Sequence, residues 1–479
     1  MAAPVSRSLL IPLIVACALF MENLDSTVLA TALPAIAHAL GQSPVMLNLG
    51  ITAYLFSLAV FIPISGWVAD RFGARRIFTA AIVVFTLGSI LCGFSQNLTE
   101  FVGARIFQGL GGAMMVPVGR LVLLRTVKKS ELVNAMAYVT IPALIGPVIG
   151  PPLGGFITTY VSWRWIFWIN VPIGILGITM AQLFIADIRE QAVGRLDLAG
   201  FALTGFGFTG LIFGFELLGR GVVPLPVAAG LMVLGAGALV LYVRHYRHAP
   251  KPLLDLSLLR LPTFYAGVAG GFMFRVGIGA IPFLLPLMLQ EGFGFNPLHS
   301  GMLTFAAAVG ALLMKMTAAP ILRRFGFRRV LIWNAWLSAI FLASYAFFHV
   351  DTPAAAILAL LLLGGFFRSL EFTSLNSVSY AEVRRERMSA ATSFASMAQQ
   401  LAASIGVGVG AIILHLTALA RGGTDVVSAD FIPAFLGVAL ISAGSPLMYR
   451  TLTRDAGSEL LVLPSAAAAA KSQESSAAQ

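Results

Sequence analysis

Apolar runs about as long as a membrane is thick follow one another along the whole chain, separated by short polar breaks. Fourteen can be drawn, at 9–36, 46–69, 75–95, 99–124, 132–160, 165–186, 197–219, 224–245, 263–290, 298–321, 328–349, 353–379, 389–416 and 430–450. About 20 apolar residues cross a hydrocarbon core of about 30 Å as helix, so each run predicts one transmembrane span. The expected fold class is all-α integral membrane, with the lipid bilayer as the surrounding partner. The stretch 456–479 is rich in Ala and Ser and predicts a disordered tail.

The polar breaks alternate in charge. Basic residues crowd at Arg71, Arg75 and Arg76, at Arg125, Lys128 and Lys129, and in every second break up to Arg450 and Arg454. The intervening breaks offer only Arg164, Arg220 and Arg421. Cytoplasmic loops carry the excess of Lys and Arg, so both termini are expected in the cytoplasm, as in a multi-pass protein of the bacterial inner membrane.

Two basic breaks echo each other. Arg71, Phe72, Gly73, Arg75 and Arg76 recur as Arg324, Phe325, Gly326, Arg328 and Arg329, 253 positions later. Such internal similarity is the sign of a duplicated helical bundle. The offset is too long for six spans and fits eight. The chain then divides into a six-helix bundle over 1–190, an inserted hairpin over 191–250, a second six-helix bundle over 251–455 and the tail 456–479. The glycine-rich 200–214 suits close helix packing, while a hairpin that merely faces lipid is equally consistent. In the first hinge Gly73 permits a sharp reversal. Asp70 could bridge to a neighbouring helix end or to an arginine and latch one conformation; a loop that only sets topology is the alternative. The second copy has Arg323 where Asp70 stands, so any latch is asymmetric.

Composition removes several classes. Of 479 residues 58% are hydrophobic and 11% charged, against about 25% charged in soluble domains. The net charge of +11 sits in short loops, which speaks for topology and against a nucleic-acid partner. Cys17 and Cys92 both fall inside spans, so no disulfide framework or zinc site follows. Six scattered histidines give no metal site, and no cofactor is implied. Without a nucleotide loop, a His–Glu zinc helix or a sizeable soluble domain, a membrane enzyme or sensor finds no support. Arg7 and the run ending at Cys17 look like a lipoprotein signal, but apolar helix resumes past Cys17, so a first transmembrane span is expected.

Charges inside spans are costly, at least about 2.5–3.5 kcal/mol for an arginine at a helix centre, and mark cavities or partners. Arg105, with Gln108 and Gly109, lies in the fourth run; snorkelling to the interface is the alternative reading. The fifth run carries Gly146, Pro147, Gly150, Pro151, Gly154 and Gly155, a composition for a bent, closely packed helix.

These elements together resemble the major facilitator superfamily. Asp70 with Arg71, Gly73, Arg75 and Arg76 is similar to its loop 2–3 signature, and Arg105 with Gln108-Gly109 to its span-4 signature. Gly146-Pro147 through Gly154-Gly155 resembles the motif of drug:proton antiporters. Leu24-Asp25-Ser26-Thr27-Val28, Ala32-Leu33-Pro34 and Ser162-Trp163-Arg164-Trp165-Ile166-Phe167 with Asn170-Val171-Pro172 resemble the fourteen-span branch, of EmrB/QacA type, and within it the MdtD and HsrA subgroup of multidrug exporters. Leu29 and Ala30 depart from the pattern, with a mild loss of polarity. The resemblance implies two pseudo-symmetric six-helix bundles, a central cavity, alternating access, and export of small organic substrates driven by protons, by a monomer.

On that view Asp25, Glu22 and Arg105 are the proton-coupling candidates. Glu22 and Asp25 are three apart and share a helix face; two acids so close repel, which favours proton uptake by one. The alternative is that Asp25 only hydrogen-bonds and Glu22 stays paired. The repeat offset carries Glu22 onto Arg275, so the two are expected to face each other across the pathway. Arg368 and Glu371 could pair within one helix, and Lys315 is a further buried charge. Phe20, Met21, Tyr54 and Met273 are cavity candidates because they neighbour these positions. Asp70, Arg71, Gly73, Arg75, Arg76, Arg324, Gly326 and Arg328 are the gating candidates. Arg275, Lys315 and Arg368 leave a second reading open, an exporter of a specific anionic metabolite or metal chelate.

Overall fold

The computed structural model describes residues 7–42, 44–186, 194–219, 223–250, 252–295, 297–422 and 427–461. Within them the chain folds into long helices. In the first half these are α1 (Arg7–Ala39), α2 (Pro44–Phe61, running on through Ser65–Phe72), α3 (Ala74–Phe94), α4 (Leu98–Thr126), α5 (Leu132–Tyr160) and α6 (Trp165–Phe184). Then come α7 (Leu198–Gly219) and α8 (Leu225–Tyr246). The second half holds α9 (Pro262–Gly292), α10 (Pro297–Phe325), α11 (Phe327–Phe347), α12 (Ala354–Val378), α13 (Met388–Ala420) and α14 (Ser428–Tyr449). Thirteen of these fourteen are long and apolar enough among the described residues to cross a membrane; α5 is the other, a 29-residue helix.

Local chemistry sets several boundaries. Asn97 opens α4: its side chain accepts the Glu100 N–H at 2.9 Å, and the Glu100 carboxylate takes the Gln96 N–H at 2.8 Å. This reciprocal capping satisfies donors that the first helical turn cannot. The two echoed hinges turn at Gly73 (φ 97°) and Gly326 (φ 74°), a backbone region open to glycine and strained for other residues.

The duplication is visible in the packing. In the first bundle α1 lies on α5 and α6, α2 on α4, and α3 on α4 and α6. Adding eight to each number gives the second bundle: α9 on α13 and α14, α10 on α12, α11 on α12 and α14. The bundles meet where α5 touches α10 and α12, and where α13 touches α2 and α4. These contacts exchange under the same shift, as a two-fold relation requires.

The hairpin α7–α8 resolves the question its glycines raised. Gly207, Gly210 and Gly214 face α8, so the glycines join the hairpin to itself. The other side of α7 is aromatic and meets both bundles: Phe213 packs on Phe56 of α2, and Phe215 lies against Gly408 of α13. Its base is tied by Asp197, which accepts the Gly200 N–H at 2.8 Å and pairs with His245 Nε2 at 2.8 Å. Helix α8 is the least buried of the thirteen candidate spans among the described residues.

The tail differs from expectation at its start. Ser458–Leu460 form a short turn, Leu460 is buried, and Glu459 pairs with Lys129 at 2.7 Å. An apolar residue with a dry site to fill and an ion-pair partner orders these residues; 462–479 lie outside the described residues.

Candidate functional site

The densest polar cluster sits inside the first bundle, where four helices converge. Asp25 of α1 and Arg105 of α4 meet at 2.7 Å, both side chains almost fully buried. Gln108 Nε2 donates to Asp25 Oδ1 at 3.0 Å, and Asn170 Nδ2 of α6 reaches the same oxygen at 3.4 Å. Ser89 Oγ of α3 accepts from Asn170 at 2.9 Å and from Gln108 at 3.3 Å. Arg105 in turn donates to Gln108 Oε1 at 2.6 Å and to the Gly50 carbonyl at 3.3 Å, and its guanidinium lies 4.5 Å above the Tyr54 ring. Arg105 therefore does not snorkel; it is neutralised and surrounded by acceptors, the arrangement a buried ion pair needs to persist.

One helical turn from Asp25 the Glu22 carboxyl faces the Tyr54 hydroxyl, and one of its oxygens has no donor among the described residues. Small residues bring the helices this close. A methyl group on Gly112 would lie 2.5 Å from the Tyr54 hydroxyl, and one on Gly150 of α5 would lie 2.2 Å from Thr27 Oγ1 of α1. Gly146 faces Asn23 and Leu24, whereas Gly155 faces open space. Part of the α5 glycine run thus seats α5 against the stretch of α1 that carries the acids, inside the bundle. Met21 is buried in the bundle core and Phe20 is half-buried against a second core cluster.

At the basic end of the helices the bundles are stitched together. Asp70 takes Arg125 Nη2 on one oxygen at 2.9 Å and the Ser389 hydroxyl of α13 on the other. One turn back, Ser65 Oγ and Ser393 Oγ lie 2.8 Å apart. Arg120 donates to the Tyr380 hydroxyl and to Gln399 Oε1, each at 3.3 Å, and Lys129 Nζ to the Ala381 carbonyl at 3.3 Å. A pocket of about 130 Å³ adjoins this seam, where Trp67 Nε1 donates to the Gly194 carbonyl at 3.0 Å. Arg75 is turned within its own bundle toward the Ile185 carbonyl, and Arg71 is exposed. Arg324 is exposed and Arg328 half-buried; neither takes part in the cross-bundle bonds described.

In the second bundle three expectations are corrected. Arg275 forms no ion pair with Glu22 among the described residues; it donates to the Gly267 carbonyl at 3.4 Å and Asn376 Oδ1 at 3.3 Å, since its long side chain finds acceptors on its own helix and on α12. Arg368 and Glu371 do not pair either. Glu371 is fully buried and accepts Asn334 Nδ2 at 2.8 Å, with no ion pair to Arg368 among the described residues. Met273 packs on Gly444 of α14, within the bundle. Sequence reasoning passed over Ser65, Ser89, Arg120, Tyr380, Ser389 and Ser393. Serines in apolar runs carry no periodic signal, although Ser389 directly follows a basic break and opens a helix.

Two bundles related by duplication, with an ion pair held inside the spans, define a multi-pass membrane transporter. The family model for the Major Facilitator Superfamily matches residues 15–407 and 267–471, and the chain belongs to that family, whose members transport rather than catalyse. It is 39% identical over 452 residues, 92% of this chain and 94% of the relative, to a Citrobacter koseri protein named "Putative multidrug resistance protein MdtD". An Escherichia coli protein of the same name is 38% identical over 456 residues, with 92% and 94% covered. Among solved structures, the human organic anion transporter MFSD10 (TETRAN) superposes with a TM-score of 0.68 at 14% identity, over 92% of this chain and 99% of that one. The proton:xylose symporter XylE gives 0.66 at 15% identity, over 94% and 97%. At such identities these two speak for the fold alone.

Proposed function

We propose that the protein is a proton-coupled secondary exporter that moves lipophilic drugs or related organic compounds out across the bacterial inner membrane by alternating access. The observation that carries this reading is the Asp25–Arg105 pair, sealed within the first bundle and contacted by four helices. Protonating Asp25 removes its attraction for Arg105, Gln108 and Asn170 together, so one proton loosens the packing of α1, α3, α4 and α6 at once. Glu22, a turn away, passes the proton between this cluster and the space between the bundles. Tyr54 positions both. The kinship at 38–39% identity with proteins named for multidrug resistance supports the substrate class.

The basic end is the cytoplasmic one, where both termini lie, and the bundles are closed there. Asp70 holds the closure, Arg71, Gly73, Arg75 and Arg76 shape its hinge, and Arg324, Gly326 and Arg328 form the second, unlatched hinge. A monomer suffices. The test is the purified protein alone in liposomes under an imposed pH gradient, with a broad panel of lipophilic compounds. Compound export with opposed proton movement is expected, and both should vanish in Asp25→Asn. Compound flux with no proton movement, or no flux at all, overturns the reading.

A further inference from the structure

The proposed proton path leaves a group of cations unused. Away from the helix ends, the second bundle holds Arg275, Lys315 and Arg368 within its described spans, against a single carboxyl, Glu371. Glu371 takes its hydrogen bond from Asn334 and forms no ion pair among the described residues. Lys315 is 8% exposed and donates to the Thr373 hydroxyl. Positive charge without a counter-charge is costly in a low-dielectric interior and marks a functional site.

Arg275 is the most telling of the three. It is 7% exposed, its hydrogen-bond partners are neutral oxygens at 3.3–3.4 Å, and its Nε has no partner among the described residues. Across the seam stands Arg120 of α4. It also donates to neutral oxygens, those of Tyr380 and Gln399, both in the other bundle. Arg275 reaches Asn376 of α12 and the Gly267 carbonyl, Gly267 lies against Ser379, and Arg120 reaches Tyr380 beside it, one turn past Asn376. Two guanidinium groups, one from each bundle, thus reach the same end of α12, and neither forms an ion pair among the described residues. Like charges so placed repel. An oxyanion between them would turn the repulsion into a bridge, because a guanidinium fork matches the two oxygens of a carboxylate, phosphate or sulfonate.

We propose that Arg120 and Arg275 form a site, shared between the bundles, for the oxyanion of the exported compound, so that the substrates are lipophilic organic anions. This rests on the export reading above and names its substrate class. Loading then adds a further bridge across the seam that Arg120 already spans. Lys315 extends the positive face: its partner Thr373 stands one turn from Asn376 on α12.

Fluorescein and rhodamine 6G share a xanthene core and carry opposite charge, which makes them the probes. In everted vesicles with an acidified lumen, fluorescein should accumulate by way of the protein. Arg120→Gln and Arg275→Gln should each lower that uptake about tenfold or more, and Arg275→Lys should retain part of it. The double variant should be no worse than the poorer single one, because both arginines act on one anion. Accumulation of rhodamine 6G without fluorescein, or fluorescein uptake untouched by both Gln substitutions, overturns the proposal and leaves the export reading standing. If neither dye moves but compounds of the liposome panel do, their charge decides: anions uphold the site, cations overturn it. If nothing in that panel moves, the export reading falls and this site with it. Should Arg275→Gln fail to fold, as judged by size exclusion, Arg120→Gln at the half-buried rim decides alone.

Discussion

Asp70 of α2 accepts the Ser389 hydroxyl of α13, so a carboxylate of one bundle sits at the first turn of a helix in the other. Helix N-termini favour negative charge through their unpaired N–H groups and macrodipole. Arg125 keeps the same carboxylate in place from its own bundle. The second hinge has Arg323 at the matching position, and a cation at a helix start gains nothing, so among the described residues only the first hinge carries such a latch. Asp70→Ala should open the basic end. A cysteine at Ser393 should then react several-fold faster with a membrane-impermeant thiol reagent applied from that side; an unchanged rate would deny the latch.

Ser65 and Ser393 allow the converse experiment. Their hydroxyl oxygens are 2.8 Å apart across the seam. Ser65→Cys with Ser393→Cys, in a chain whose Cys17 and Cys92 have been replaced, should form a disulfide on mild oxidation. Export should stop and return with reductant. Full export in the oxidised form would show that this seam need not open.

The inner pair should respond in two distinct ways. Asp25→Asn keeps the shape and one acceptor oxygen, while removing the charge and turning an NH2 toward a donor, so thermal stability should fall in part and proton-coupled export should drop to background. Asp25→Ala leaves Arg105 buried without its counter-charge, which costs about 3–5 kcal/mol in comparable sites. Its melting temperature should fall well below that of Asp25→Asn. Equal melting curves would mean that Arg105 finds another acceptor.

Much of this was legible in the chain, for physical reasons. Apolar runs of membrane length leave one secondary structure available, so the spans and the duplication could be read directly. Asp25 and Arg105 stood out because charge in lipid demands an explanation. Their union could not be read, since 80 positions separate them and only packing brings α1 to α4. The offset from Glu22 to Arg275 failed for a related cause. Duplication preserves helix positions, while a long side chain goes to whatever acceptor is nearest, here Gly267 and Asn376. The serines of the seam were silent because a hydroxyl among apolar residues looks the same whether it faces its own helix or a neighbour.

Gly150 gives a packing test inside the glycine and proline run of α5. A methyl group there would lie 2.2 Å from Thr27 Oγ1, a distance that forces α1 and α5 apart. Gly150→Ala should lower the melting temperature and weaken export, and Thr27→Ala in the same chain should restore part of both. Gly155→Ala, with open space ahead of it, is the control and should behave as wild type. Equal damage from both alanines would sink the contact argument.

The wedge that α7 drives beside α2 and α13 makes the two flanks of the transporter unequal. On that flank a molecule dissolved in the bilayer meets an aromatic wall of Phe213 and Phe215. The opposite flank, where α5 meets α10, has no such wall among the described residues. The α2–α13 flank is thus covered by a helix that duplication of the bundles did not supply, while contacts of α7 with the α5–α10 flank are absent among the described residues.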